Sequence, residues 1–571
     1  MKRKKLLILL LSSCLTLTAC GGGSANTGRG DNHIDASANE NTENGDTDSD
    51  EKNEDGNQEQ TSSSDAEASG GDFNAENAGT DFEVSVDFKD QSDEKMTDEG
   101  YSIFYSSYSL PVVTMNQYKD SEKKINAFFE NEIQQFKENA SELVKEAKSE
   151  YENLNDEERE LFYGYSSHQY YEKSRMDEKV ISFMGYSYLY LGGAHDSSLS
   201  SAYNFDTKTG EKLKLSDLFE DEQTAMNEIR EYILSLCSNP YYSVRLFEDY
   251  EENIDDVLKD DNWFFDEDGL HFISNTYVLG PYAAGEFDFV IPYENLTQLK
   301  DAYAYNGSYL YPSLINESVN ADLDGNGKKD TINLSIDRDI LEKIYSGNWE
   351  DPVDPVLTVT INDKDYSDVM KESMNSLSYN FNQNYYIVDL DTSKPGMELM
   401  FIDIYDNDYC LTYFYEYKDE KLTFLGSVQD RLGYDSFHIN GDGTVSARLP
   451  LNLLQTSSAD VTYRLKDDQL VIENQDWYYV NDSMWNDEYK HHAILQEVTV
   501  YTEPDLSSQT KVLTPEDGKV SFPATDNEHW YMLKTENGET YYLYLEDFST
   551  VPNNGNELYA PEIFENLFLA G

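Results

Sequence analysis

Apolar and polar residues alternate from Asp81 to about Tyr118, as in Phe82, Val84, Val86 and Phe88, and again from Tyr101 to Val113. A period of two predicts strands. The period then changes. From about Ser121 to Asn153, the residues Ile125, Phe128, Phe129, Ile133, Phe136, Leu143, Val144, Ala147 and Tyr151 recur mostly at steps of three and four, with Lys and Glu between them. That spacing predicts one long amphipathic helix with a single buried face. Aromatic-rich strands follow from Val180 to Leu191. A second helix is expected from about Glu222 to Cys237, with Ala225, Met226, Ile229, Ile233 and Leu236 inward. Residues 314–480 and 493–549 read mostly as short strands separated by Gly, Asn and Asp turns. The tail from Pro561 to Leu569 reads as a short amphipathic helix. The expected chain is multidomain: an α+β N-terminal pair at 81–185 and 186–300, an all-β domain at 314–480, a small β-domain at 493–549, and a tail at 550–571.

The first 80 residues have a different character. Lys2, Arg3, Lys4 and Lys5 precede an apolar run from Leu6 to Leu11, which reads as a secretory signal over residues 1–20. Its end, Leu17-Thr18-Ala19-Cys20, resembles a bacterial lipobox. The resemblance implies cleavage before Cys20 and lipidation of that residue. No later stretch approaches the ~18 apolar residues of a membrane helix. The expected location is the bacterial cell envelope, with the lipid holding the chain to the outer face of the cytoplasmic membrane. Residues 21–80 are rich in Gly, Ser, Asn, Asp and Glu, and read as a disordered acidic stalk. They hold fifteen acids against one Arg and one Lys. With +4 on residues 1–20 and −13 on the stalk, residues 81–571 carry −60 of the total −69. That charge excludes nucleic acid as a partner, because phosphate contacts need basic patches. It favours cationic proteins, cationic polymers or metal ions, although acidity also serves solubility alone. Of the four Cys, Cys14 leaves with the signal and Cys20 takes lipid. Cys237 and Cys410 are expected as buried thiols, with a disulfide between them left open.

Between residues 81 and 300 several motifs stand in order: Gly192-Gly193-Ala194-His195, Asn204 to Gly210, Leu213-Lys214-Leu215-Ser216-Asp217-Leu218-Phe219, Trp263-Phe264-Phe265, Asp268-Gly269-Leu270, and Tyr282-Ala283-Ala284-Gly285. This order resembles the paired extracellular domains of RsiV-type anti-sigma factors and PdaC-type peptidoglycan deacetylases. In the first type the resemblance implies a lysozyme-binding receptor. In the second it implies a domain beside a wall-modifying enzyme. The chain departs from both, lacking a cytosolic anti-sigma segment and the His/Asp metal pattern of a deacetylase. Binding carries over as the expectation. Tyr163, Tyr165, Tyr170, Tyr171, Tyr186, Tyr188 and Tyr190 are candidate contact residues, with strand packing as the competing role. Gly192, Gly193 and His195 are weaker candidates, a tight turn with a structural His being the alternative.

Further along, Asp322-Leu323-Asp324-Gly325-Asn326-Gly327-Lys328-Lys329-Asp330 sets oxygen ligands at alternate positions. Asp322, Asp324, Asn326, Asp330 and the backbone carbonyl of Lys328 can converge on calcium. Asn333 stands where an EF-hand has Glu. The loop looks like those of VCBS or integrin-type β-repeats, which implies a partial, propeller-like β-domain. A turn held by its own hydrogen bonds is the alternative. Asp389-Leu390-Asp391 is a degenerate echo interrupted by Lys394 and Pro395, and Asn440-Gly441-Asp442-Gly443 is a third. Residues 493–549 resemble an SH3-like barrel, a module that implies contact with peptidoglycan. Trp530 and Tyr531 would be its platform, or else part of its core.

None of the eight His forms a His-Glu-x-x-His pair, and no Gly-x-Ser-x-Gly or phosphate-binding loop occurs. A non-enzymatic role is expected. Three readings stand. The first is a surface-anchored lipoprotein that captures lysozyme or a similar cationic protein. The second is a calcium-stabilised wall-binding or adhesion scaffold. The third is a cryptic wall hydrolase with its carboxylates hidden among 111 acids.

Overall fold

The computed structural model describes residues 82–569, except 194, 308, 348–353, 375, 406–408, 435, 474, 483, 484, 486 and 554. The signal, the stalk and Cys20 lie outside the described residues. The alternating segment forms an antiparallel hairpin, β1 (Val84–Met96) and β2 (Ser102–Met115). Next, β2 pairs in parallel with β3 (Tyr165–Met176). Parallel neighbours need a long crossover, and helix α1 (Lys119–Asn153) supplies it. With β4 (Val180–Tyr190) and β5 (Ser197–Asp206) the sheet runs β1-β2-β3-β4-β5. The boundary expected between residues 185 and 186 is corrected here. It falls inside β4, which is bonded to β3 on one side and pairs with β5 from Val180–Asp206 to Leu189–Ser197 on the other.

The core of this unit lies between the sheet and α1. The helix buries Ile125, Phe129, Ile133, Phe136, Leu143 and Tyr151 along its inner face. Phe129 meets Tyr171, Phe183, Tyr203 and Phe205 edge to face, at centroid distances of 5.0, 4.8, 6.0 and 5.8 Å. Burial of one such ring contributes about 1.5–3 kcal/mol. A methyl group on Gly185 would come within 2.7 Å of the Tyr203 ring and 3.1 Å of Tyr171, so glycine there makes room for both.

A second α+β unit follows. Strands β6 (Trp263–Phe265), β7 (Leu270–Ser274) and β8 (Phe287–Ile291) form an antiparallel sheet. Helix α2 (Glu222–Leu236) shares its core, placing Ala225, Ile229 and Ile233 with Trp263, Phe272 and Phe289. The Asp221 side chain caps α2 by accepting from the Thr224 amide at 3.2 Å. Buried Asn204 joins the two units. Its amide donates to the Trp263 carbonyl at 2.6 Å, while its carbonyl oxygen accepts from Ser182 at 2.7 Å.

From residue 310 the chain is dominated by sheets. Strands β9 (Leu310–Leu314), β10 (Ser318–Ala321), β11 (Asp330–Ser335), β12 (Thr358–Ile361), β13 (Lys364–Asp365), β14 (Asn384–Val388), β15 (Glu398–Ile404), β16 (Cys410–Lys418) and β17 (Lys421–Val428) make two of them, ordered β10-β11-β12-β13 and β17-β16-β15-β14-β9. Strands β18 (His438–Ile439), β19 (Thr444–Leu451), β20 (Ser457–Lys466) and β21 (Gln469–Ile472) make a third. Strands β22 (Tyr478–Tyr479), β23 (His492–Ala493), β24 (Val498–Tyr501), β25 (Thr510–Leu513), β26 (Lys519–Thr525), β27 (Trp530–Thr535) and β28 (Thr540–Tyr544) form the last large sheet, along the path β22-β26-β27-β28-β24-β25 with β23 on β26. That path is open among the described residues, so the expected barrel is not closed.

The tail departs from its expected helix. Only Ala560–Ile563 is helical, because Phe564 is extended, bridges the backbone of Ile494 and packs on Phe522 at 5.0 Å. Cys237 and Cys410 are buried and not joined to each other. Burial pushes the Cys237 thiol up to about 12, with Glu251 adding to the rise. No helix of the described residues is long and apolar enough to cross a membrane.

Candidate functional site

Side chains on a strand alternate between faces, and β3 shows the consequence. Tyr165 and Tyr171 are buried, Tyr171 against Phe129 of α1. Tyr170 turns to the opposite face. There it stacks on Tyr186 at 5.0 Å and on Tyr188 at 5.7 Å, and its hydroxyl lies 3.0 Å from that of Tyr188. The β3–β4 register produces this ladder, pairing Tyr170 with Tyr186 and His168 with Tyr188. Tyr190 is half-buried on β4, and Tyr163 precedes β3 at 86% exposure.

Two carboxylates flank the ladder. Glu172 follows Tyr170 on the same face and accepts from the Tyr186 hydroxyl. Glu286 accepts from the Ser200 hydroxyl at 2.8 and 2.7 Å. Burial pushes the Glu286 carboxyl above the ordinary range, and Asp288 adds to the rise. Burial, then Glu172, raises Tyr186. Among the described residues no Lys, Arg or His lies within ion-pair distance of Glu172 or Glu286.

The two most distinctive motifs meet beside this cluster. His195 stacks on Tyr282 at 4.2 Å, and the Tyr282 hydroxyl donates to Asp196 at 2.9 Å across 86 residues. Gly192 turns the chain at φ +74° and Gly285 at φ +70°, immediately before Glu286. Ala194 lies outside the described residues. Sequence reasoning found these turns and the tyrosines, but not the acids. Glu172 and Glu286 are indistinguishable in sequence from more than a hundred others.

A buried charge cluster was equally hidden. His271 on β7 sits between Asp268, 2.7 Å from Nε2, and Asp288, 3.0 Å from Nδ1, with Phe264 stacked at 4.5 Å. Burial alone would lower its pKa, but Asp288 and Asp268 lift it well above the usual value. Asp266 beside it is pushed up to about 6 by burial. Both imidazole nitrogens are engaged by carboxylates, so the ring is a trapped cation and has no nitrogen left for a nucleophile.

In the acidic loop, carboxylate oxygens of Asp322, Asp324 and Asp330 lie within 4.8 Å of one another. The loop also binds itself: Asn326 and Gly327 amides donate to Asp322 at 3.0 and 2.8 Å, and the Lys328 amide donates to the Asn326 side chain at 2.9 Å. In the second copy the Lys394 ammonium sits 2.7 Å from Asp391, where a cation would otherwise lie. The three turns stack. Gly325 abuts Pro395, and the Thr392 amide donates to the Gly441 carbonyl at 2.9 Å.

On β27, Tyr531 is wholly buried, whereas Trp530 faces the other way against Tyr501 at 5.2 Å and Tyr544 at 5.1 Å. Tyr531 is therefore withdrawn from the expected platform, since neighbours on a strand cannot share a face.

Residues 97–198 match the family model described as Deacetylase PdaC, and residues 216–294 match Protein of unknown function (DUF3298). A DUF3298 family structure from Bacteroides fragilis is 18% identical, with a TM-score of 0.31, covering 38% of this chain and 94% of that one. Another from Pseudomonas aeruginosa is 14% identical, with a TM-score of 0.26, covering 39% and 98%. No curated protein matches. The tyrosine ladder lies within the first matched segment and Glu286 within the second. The chain therefore holds a segment similar to PdaC followed by one similar to DUF3298 domains, in the order of the paired extracellular, cell-envelope-associated domains that its sequence resembles.

Proposed function

We propose that this is a surface lipoprotein, held by lipid on Cys20, that captures a cationic wall-active protein of the lysozyme type on the tyrosine ladder. One observation carries the reading: three stacked tyrosines stand beside two carboxylates, Glu172 and Glu286, that have no ion-pair partner among the described residues. Tyrosine faces attract ammonium and guanidinium groups, and acidic surroundings steer a basic protein toward them. Part of the desolvation of Glu286 is already met in the free protein, so an incoming cation gains more from it than from an exposed acid. The name of the matched PdaC family is that of a deacetylase. Among the described residues, the acid cluster that converges as a metal site would, Asp322, Asp324 and Asp330, lies far outside that match.

Calorimetric titration of hen lysozyme into the full chain tests this. One-to-one binding that persists at physiological salt is expected, weakened about tenfold or more by Glu286→Gln. The pH dependence has a definite sign. The raised Glu286 carboxyl takes up a proton as pH falls, loses its charge, and binding weakens at milder acidity than an ordinary carboxylate would allow. Binding confined to low salt, or unchanged in Glu286→Gln, would reject the proposal.

The second reading is a calcium-braced wall scaffold, favoured by the convergence of Asp322, Asp324 and Asp330 on a stack of turns. With Asn326 and the Lys328 carbonyl they would hold the ion, and Trp530 would face peptidoglycan. Calcium at about 1 mM is then expected to stabilise the chain by about 1 kcal/mol, an effect absent in Asp324→Ala. Thermal unfolding with and without chelator reads it, and identical midpoints would dismiss the ion.

A further inference from the structure

Beside the ladder, β1, β2 and β3 line an open cleft of about 360 Å³. The face opposite α1 combines the Tyr105 and Tyr170 rings with the Ser92, Ser107 and Ser109 hydroxyls and the single carboxylate Asp90, while the Gln91 and Gln169 side chains turn to the α1 side, bonded to the Tyr108 and Tyr171 hydroxyls. Tyr105 is 39% exposed and leans on His168 at 5.6 Å. His168 is spent within the wall, its Nδ1 lying 2.8 Å from the Ser107 hydroxyl. Burial lowers its pKa, so it adds no positive charge near neutrality.

We infer that this cleft binds a hexopyranose unit of a neutral oligosaccharide. A pyranose has an apolar C–H face that stacks on a tyrosine ring, and an edge of vicinal hydroxyls. Hydroxyl and carboxylate side chains match that edge, because each offers donors or acceptors at short reach. Other ligand classes fit less well. No Lys or Arg lines the cleft and Asp90 opens onto it, which disfavours phosphate, sulfate and uronate groups. An apolar ligand would strand the serine hydroxyls and the Asp90 carboxylate without partners. The inference does not depend on protein capture. Tyr105 and Asp90 stand outside the ladder, Tyr170 is the one residue shared with it, and Glu286 does not line the cleft.

The test uses the full chain and three probes: chitotetraose, cellotetraose and a sulfated tetrasaccharide. Saturation-transfer NMR is expected to show saturable contact with at least one neutral probe and none with the sulfated one. Tyr105→Ala is expected to weaken that contact about tenfold. Asp90→Ala, on an exposed stretch of β1, is expected to weaken it too, and serves if the tyrosine variant misfolds. Glu286→Gln is expected to leave it unchanged. Absence of saturable binding by both neutral sugars, equal binding of the sulfated probe, or indifference to both cleft substitutions would overturn the assignment.

Discussion

Arg175→Met is expected to destabilise the chain by about 3–5 kcal/mol, because it removes one partner of a fully buried ion pair. The Arg175 side chain has 0% exposure and Asp177 has 8%, with Nε 2.6 Å from the carboxylate. The guanidinium also donates to the Tyr303 and Ala304 carbonyls at 2.7 and 3.1 Å and to the Tyr293 hydroxyl at 3.2 Å. Its plane rests among the rings of Phe265, Tyr293 and Tyr305, at 5.2, 5.7 and 5.3 Å. Thus one residue at the end of β3 fastens β6, the turn after β8 and the segment at 303–305. Methionine fills much of the space and makes none of these bonds. Asp177 keeps the Lys179 and Val180 amides at 2.7 and 2.8 Å, but its second oxygen loses its counter-ion. Denaturant unfolding followed by circular dichroism measures the loss. The double variant Arg175→Met/Asp177→Leu is expected to lose less than the two single variants summed, since no uncompensated charge remains. Additive losses would show that packing and not charge sets the cost.

Local periodicity explains what was legible in the sequence. Helix α1 is readable because its inward residues recur at helical spacing over 35 residues, and its observed limits lie close to the expected ones. The hairpin β1–β2 is readable from alternation. The division at 185/186 fails because it cuts β4, which is paired with β3 on one side and β5 on the other, and the motif near His195 is the turn joining β4 to β5. For Trp530 and Tyr531 the sequence leaves platform and core both open, and the strand divides them, Tyr531 into the core and Trp530 to the other face, because adjacency in sequence is opposition on a strand. The tail looked amphipathic, but extended pairing of Phe564 with Ile494 ends the helix at Ile563. Glu172, Glu286, Arg175 and His271 acquire their roles from partners that the fold brings in from other strands and turns. In a chain with 111 acids, no local pattern marks the few that are buried or unpaired.

His271→Leu is expected to cost about 3 kcal/mol at pH 6, since it leaves Asp268 facing Asp288 and Asp266 with no cation between them. Asp288 is 45% exposed and regains water, whereas Asp268 at 13% does not, so most of the cost falls on Asp268. The difference between wild type and variant has a required pH dependence. A histidine whose folded pKa lies well above 6.5 contributes its full stabilisation below 6.5, and loses it as pH rises from there through the folded value. The gap is therefore widest in mild acid and narrows toward alkaline pH. Asp266 bends the wild-type curve the same way. Its carboxyl, pushed up to about 6, is protonated in the fold below that pH and costs stability once ionised. Unfolding midpoints of both proteins at pH 5.5, 7.5 and 9 decide the matter. A gap that widens with pH would mean that the imidazole is neutral in the fold and that the two carboxylates share a proton instead.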